Sequence, residues 1–113
     1  MELSVIGKYK LLVARLYGEL DHHEAGEIRE AIDRELMRRG VRNLAMDFTN
    51  MGFMDSSGLG LVMGRYKKVS AIGGRLIVCG MNNNIRRIFQ MCGLQRIAIV
   101  ADSLEEGMEE LDK

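Results

Sequence analysis

Proline is absent from this chain of 113 residues, and with it one of the usual marks of a linker between domains. Serine- and glycine-rich spacers, low-complexity tracts and internal repeats are missing as well. Nothing divides the chain, and its length suits one small domain around a single core. Surplus charge is also lacking: sixteen Lys+Arg balance sixteen Asp+Glu. A general nucleic-acid or membrane-surface binder would carry a basic excess, so neither partner is expected. No apolar run approaches the roughly 18 residues that cross a bilayer. The start, MELSVIGKYKLLVARLYGELD, alternates as strands do and has no basic opening or small-residue cleavage site, so a cytoplasmic protein is expected. Cysteine is scarce too. Cys79 and Cys92 fit no C-x-x-C or zinc spacing, and their apolar neighbours (LIVCG, IFQMCGL) mark two reduced, partly buried thiols.

What is present is the material of a globular α/β domain, with 47% hydrophobic and 28% charged residues. Residues 2–7 and 10–17 read as two short strands joined by a tight turn near Gly7. The segments 42–48, 75–80 and 96–101 are apolar and branched, as buried strands should be. Between them the period changes. Ala25, Ile28, Ile32 and Leu36 define a helix over 23–39, and Leu59, Val62, Tyr66 and Val69 another over 56–71. Ile85, Ile88 and Phe89 mark a third, and Leu104, Met108 and Leu111 a fourth. Asp21 with Glu24, and Asp102 with Glu105, have capping-box spacing, while Gly40, Gly73 and Gly93 stand where helices should stop. After the opening strands the order is β-α-β-α-β-α-β-α, which predicts a mainly parallel sheet covered by helices.

In such sheets partners and ligands meet the loops that leave the carboxyl ends of strands. Here those are YGELDHH (17–23), FTNMGFMDSSG (48–58) and GMNNN (80–84). The second carries two adjacent hydroxyls, Ser56 and Ser57, at a helix start. A serine nucleophile needs a base and a group to orient it. The only histidines are His22 and His23, and the elbow G-x-S-x-G is missing. Asp21, His22, His23 and Asp55 show no metal-ligand spacing. A phospho-accepting receiver would need acids after its first strand to hold magnesium, but the first strands end in IGK and LYG. A G-x-x-x-x-G-K-[ST] phosphate loop is absent as well. No catalytic residue, metal or cofactor is therefore expected. The glycines of SSGLG and LGLVMG are read as letting the helix approach the sheet closely. Ser56 could be an N-cap, a part open equally to Ser57 and Asp55, so one of the three is left over. A spare hydroxyl there suits phosphorylation, because the added charge of about −1.5 to −2 sits at the helix's positive end.

GELDHH at 18–23, FMDSSGLG at 53–60 and GRYK at 64–67 resemble the anti-sigma factor antagonists of the STAS family, and above all its sporulation branch. The likeness runs through almost the whole chain, whereas generic STAS domains keep little more than D-S-[ST]-G-L. The resemblance implies one STAS domain over 1–113, a four- to five-stranded sheet with about four helices, and no catalysis of its own. It implies that the serine directly after the aspartate, here Ser56, is phosphorylated by the anti-sigma factor, an ATP-dependent serine kinase (SpoIIAB-like). The unphosphorylated form would bind that kinase and free the sporulation sigma factor sigma-F. A metal-dependent PP2C-type phosphatase (SpoIIE-like) would restore it. Asp21 matches a position presented to the kinase, and Asp55, Ser56, Ser57 and Gly58 complete the expected partner-binding surface. Three alternatives stand beside this reading. The first is a general-stress antagonist of the same family, against which DHH after GEL and the GRYK tail weigh. The second is a nucleotide-binding domain, which lacks its phosphate loop. The third is a STAS domain serving a transporter, for which no membrane segment is seen.

Overall fold

The branched, apolar segments pair into one sheet in a computed structural model that describes residues 1–38 and 40–113. Its elements in chain order are β1 (Glu2–Ile6), a 3-10 turn (Gly7–Tyr9), β2 (Leu11–Leu20), α1 (His22–Leu36), β3 (Asn43–Met54) and α2 (Ser56–Ala71). They continue with β4 (Leu76–Cys79), α3 (Asn83–Met91), a second 3-10 turn (Leu94–Arg96), β5 (Ile99–Ala101) and α4 (Leu104–Leu111). The strands lie in the sheet in sequence order. β1 runs antiparallel to β2, and the remaining neighbours are parallel. This is the expected α/β class, with five strands and four helices.

Alternation along the strands divides the core in two. Leu12, Ala14, Leu16, Leu44, Met46, Phe48, Leu76 and Val78 face α1, α2 and α3. Leu11, Val13, Ala45, Ile77 and Cys79 face the other way, where Leu104, Met108 and Leu111 of α4 cover them. A strand covered on both faces has no reason to alternate in polarity, so LLVA, NLAM and LIVC read as unbroken apolar runs. Buried Asn43 ties the strand beginnings together. Its Nδ2 donates to the Tyr9 carbonyl at 2.8 Å and its Oδ1 accepts from the Arg75 amide at 2.8 Å.

Two strands are longer than the sequence predicts, and this reshapes the carboxyl edge. β2 continues to Leu20 and β3 to Met54, paired through Tyr17↔Asn50, Gly18↔Met51, Glu19↔Phe53 and Leu20↔Met54. Two register shifts, between Arg15 and Tyr17 and between Gly18 and Glu19, break the alternation there. Thr49, Asn50 and Gly52 give β3 the composition of a loop, yet buried Leu20, Met51 and Met54 hold it to the sheet. At the far end, Ser103 and not Asp102 caps α4, its Oγ accepting from the Glu106 amide at 3.2 Å. The run DSLEE offers the same spacing in two registers, and the serine takes it. Gly73 and Gly93 end α2 and α3 at φ of +79° and +74°, as expected.

Candidate functional site

Because β2 and β3 are parallel neighbours ending on the paired residues Leu20 and Met54, the two segments that follow must emerge side by side. Each consists of one aspartate and then a helix. Asp21 is extended (φ −104°, ψ −176°), and its Oδ1 accepts from the Glu24 amide at 3.0 Å. Asp55 is almost superposable in conformation (φ −100°, ψ −167°), and its Oδ1 accepts from the Ser57 amide at 2.8 Å. Each carboxylate satisfies an orphan N–H of its helix. The Asp55 amide donates to the Leu20 carbonyl at 3.3 Å, which ties the start of α2 to the end of β2. Asn82 adds the third expected loop. It caps α3 through the Ile85 amide at 2.9 Å, and its Nδ2 reaches the carbonyls of Met51 and Gly52, both at 3.3 Å.

Asp55 thus takes the cap that the sequence left open among three residues. Among the described residues neither serine hydroxyl makes a hydrogen bond. Ser56 is exposed and Ser57 half-buried. The first turn of α2 holds no acid, whereas that of α1 holds Glu24. Gly58 is buried, and a Cβ there would collide with the Met54 side chain and press on Leu20. Its bareness lets α2 start close against both strand ends. Gly60 and Gly64 do not share this duty, since an added Cβ would meet nothing within 4 Å at either. The close-approach reading therefore holds for one glycine of the three.

The site is poor in chemistry and rich in access. His22 and His23 lie on the first turn of α1, and His23 faces Glu27 at 3.6 Å. Among the described residues no group of three His, Cys, Asp or Glu could hold a metal ion. Burial, together with neighbouring Asp47, pushes the Cys79 thiol up to about 12, so it stays protonated. Cys92 is exposed, contrary to the partly buried place predicted for it. Two exposed aromatics, Tyr17 and Phe53, flank the edge. The sequence reading did not single them out, because Phe53 lies in a stretch assigned to a loop and Tyr17 at the junction of a predicted strand with one.

A buried ion pair was also missed. Arg65 is 4% exposed and its Nε lies 3.0 Å from Asp33 Oδ1, with Lys68 Nζ at 3.7 Å from Oδ2. It binds α2 to α1 behind the two helix starts.

A five-stranded sheet with helices on both faces, and two adjacent aspartate-capped helix starts at its carboxyl edge, define the class. The STAS domain profile matches residues 2–107, and the chain belongs to the STAS family. Within it, the chain is similar to the anti-sigma F factor antagonist of Paenibacillus polymyxa. The two are 38% identical over 102 residues, which is 90% of this chain and 87% of that protein. It is similar, too, to the unphosphorylated form of the anti-sigma factor antagonist SpoIIAA, at a TM-score of 0.76 and 33% identity, over 96% of this chain and 94% of that one. With the phosphorylated form of the Bacillus cell fate determinant SpoIIAA the TM-score is 0.77 and the identity 34%, over 97% of both chains. This fold matches both forms of that protein equally well.

Proposed function

We propose that this chain is an anti-sigma factor antagonist of the sporulation type that acts as a partner switch controlled by phosphorylation of Ser56. The observation that carries the reading is the release of Ser56 from capping. Asp55 holds the helix start, so an exposed hydroxyl stands free on the first turn of α2, a turn that holds no acid beyond the capping aspartate. A phosphate can be added there without removing any bond that the fold uses, and the helix's positive end tolerates its charge.

In the unphosphorylated state, Asp21, Asp55, Ser56, Ser57 and Gly58 form a surface that docks on an anti-sigma factor, which then lets go of sigma-F. That anti-sigma factor is itself the serine kinase, and a PP2C-type phosphatase reverses its action. The chain is the substrate of both enzymes and catalyses nothing itself. Its place is the cytoplasm, where its sigma factor works. No helix among the described residues is long and apolar enough to cross a membrane. Loss of binding on phosphorylation arises at the partner's surface, by steric conflict and by charge set where a neutral hydroxyl had docked. A coupling of about 1.4 kcal/mol already changes affinity tenfold, so no rearrangement of the domain is required.

The test is calorimetric. The chain is titrated into its cognate anti-sigma factor before and after treatment with that kinase and ATP, and mass spectrometry locates the phosphate. Phosphate on Ser56 with affinity reduced at least tenfold is the expected result. Phosphate elsewhere, or unchanged affinity, would overturn the reading.

A further inference from the structure

The charges of this chain balance in number but not in place. α1, α2 and α3 pack on one face of the sheet and run back from its carboxyl edge, so their carboxyl ends meet the amino ends of the strands. The pairs Leu11↔Asn43, Leu44↔Leu76 and Ile77↔Ile99 keep those strand ends nearly level. Segments 7–10, 37–42, 72–75, 92–98 and 112–113 cross this amino edge, and among their described residues Asp112 is the one acid. Arg38 and Lys113 there are paired to Glu35 and Glu110. Lys8, Lys10, Arg42, Arg75 and Arg96 make no ion pair among the described residues. The opposite edge is the reverse, with Asp21, Asp55 and Asp102 in its connections and no cation. We propose that the amino edge of the sheet docks on an anionic lipid surface.

Three observations carry the assignment. The first is this polarity. A balanced total weighs against a membrane partner for the chain as a whole, but it averages two edges of opposite sign. α2, at 16 residues, sets the edges about 24 Å apart. Salt screens charge over roughly 8 Å, so a membrane would meet the basic edge alone.

The second is apolar. Met37 is 88% exposed, Ile72 49% and Met91 80%, and they stand at the carboxyl ends of α1, α2 and α3. The helix dipole accounts for cations at such ends but not for these side chains. Exposed apolar residues scattered singly need no explanation. One at the end of each of three successive helices, among unpaired cations, is the composition of a face that lies in a lipid headgroup layer. They do not join into the single packed core that a protein interface needs. A fluid bilayer asks only that they be level.

The third is Lys10. It is the one non-glycine among the described residues with positive φ, at +52°, where glycine is the favoured residue. The fold uses its carbonyl, which accepts from the Arg42 and Asn43 amides at 3.0 and 2.9 Å. Its exposed side chain makes no hydrogen bond or ion pair among the described residues, so the cation serves no contact within the domain. With Lys8, Arg42 and Arg75 it lines a cleft of about 270 Å³, open to an anionic headgroup. The acid of that cleft, Asp112, already accepts from the Tyr9 hydroxyl at 3.2 Å.

This inference does not depend on Ser56 being phosphorylated, and it leaves Asp21 and Ser56 facing away from the bilayer. Its test is co-sedimentation of the whole chain with vesicles of phosphatidylglycerol and phosphatidylcholine, and with vesicles of phosphatidylcholine alone. Binding to the anionic vesicles only, weakened by added salt, is expected. Lys10→Gly with Arg42→Gln should weaken it about tenfold or more without lowering the thermal midpoint, since glycine suits the backbone at position 10. Met37→Gln with Met91→Gln should weaken it about threefold or more, again with the fold intact because both side chains are exposed. No binding to anionic vesicles, equal binding to neutral ones, or unchanged binding in either double variant would overturn the proposal. So would polyglutamate that binds as tightly as the vesicles and is indifferent to the methionine changes, which would assign the edge to an acidic protein instead.

Discussion

The start of α1 and the start of α2 are two copies of one device with different purposes. Both follow parallel strands that end in register, and both are capped by an aspartate in nearly the same extended conformation. After the cap they diverge. α1 continues His-His-Glu, and the acid in its first turn occupies the place where added negative charge would be welcome. α2 continues Ser-Ser-Gly, with two hydroxyls, no acid and a glycine that sinks the helix onto Met54 and Leu20. The same backbone geometry therefore carries an additional acid at one position and two free hydroxyls at the one beside it. A phosphate on the first turn of α1 would meet Glu24 as well as its capping aspartate, whereas on α2 it meets the capping Asp55 alone.

Several substitutions would break or sharpen this comparison. The largest effect belongs to Val62→Asp, which would bury an unpaired carboxylate in the core that both helices share. It should cost more than about 4 kcal/mol and leave neither helix start formed, seen as loss of the cooperative thermal transition. Gly58→Ala comes next, at about 1–3 kcal/mol, because the new methyl must displace Met54. Urea unfolding measures it, and a midpoint equal to the parent's would mean that α2 does not rest on the strand ends.

Asp55→Ala and Asp21→Ala should each cost about 0.5–2 kcal/mol as lost caps. Matching stability losses in the two would establish that the device is shared. If both carboxylates belong to the proposed docking surface, their effects on the anti-sigma complex should exceed what stability explains, and calorimetric titration of the folded variants measures this. The smallest effect is a gain. Gly26→Ala adds a methyl to open space on α1, and should stabilise by up to about 1 kcal/mol.

Much of this contrast can be read in the sequence, and the parts that cannot have identifiable causes. α2 runs over Ser56–Ala71 as its apolar spacing predicts, because a helix with a good cap and a left-handed glycine beyond its end is defined locally. The carboxyl ends of β2 and β3 are defined only by each other. Thr49, Asn50 and Gly52 are loop residues in isolation, and become strand because the facing chain supplies partners and buried Leu20, Met51 and Met54 supply burial. The stripe Leu59, Val62, Tyr66, Val69 places α2 on the sheet but understates its buried arc. The helix also packs on α1, so Leu61 and Arg65 are buried while Leu59 and Tyr66 are only partly so. Arg65 stands out in the sequence only as part of GRYK, since nothing in a single sequence indicates that an arginine will meet Asp33 on another helix. The cap at α2 was open among three residues, and only geometry chose Asp55.

The account's central claim is that Ser56, and not the adjacent Ser57, is the modified hydroxyl of this edge. Its most direct test is phosphate incorporation into Ser56→Ala and Ser57→Ala by the cognate anti-sigma kinase and ATP, followed by mass spectrometry of the intact chains. The account predicts no incorporation into Ser56→Ala and stoichiometric incorporation into Ser57→Ala. Full incorporation into Ser56→Ala would contradict it.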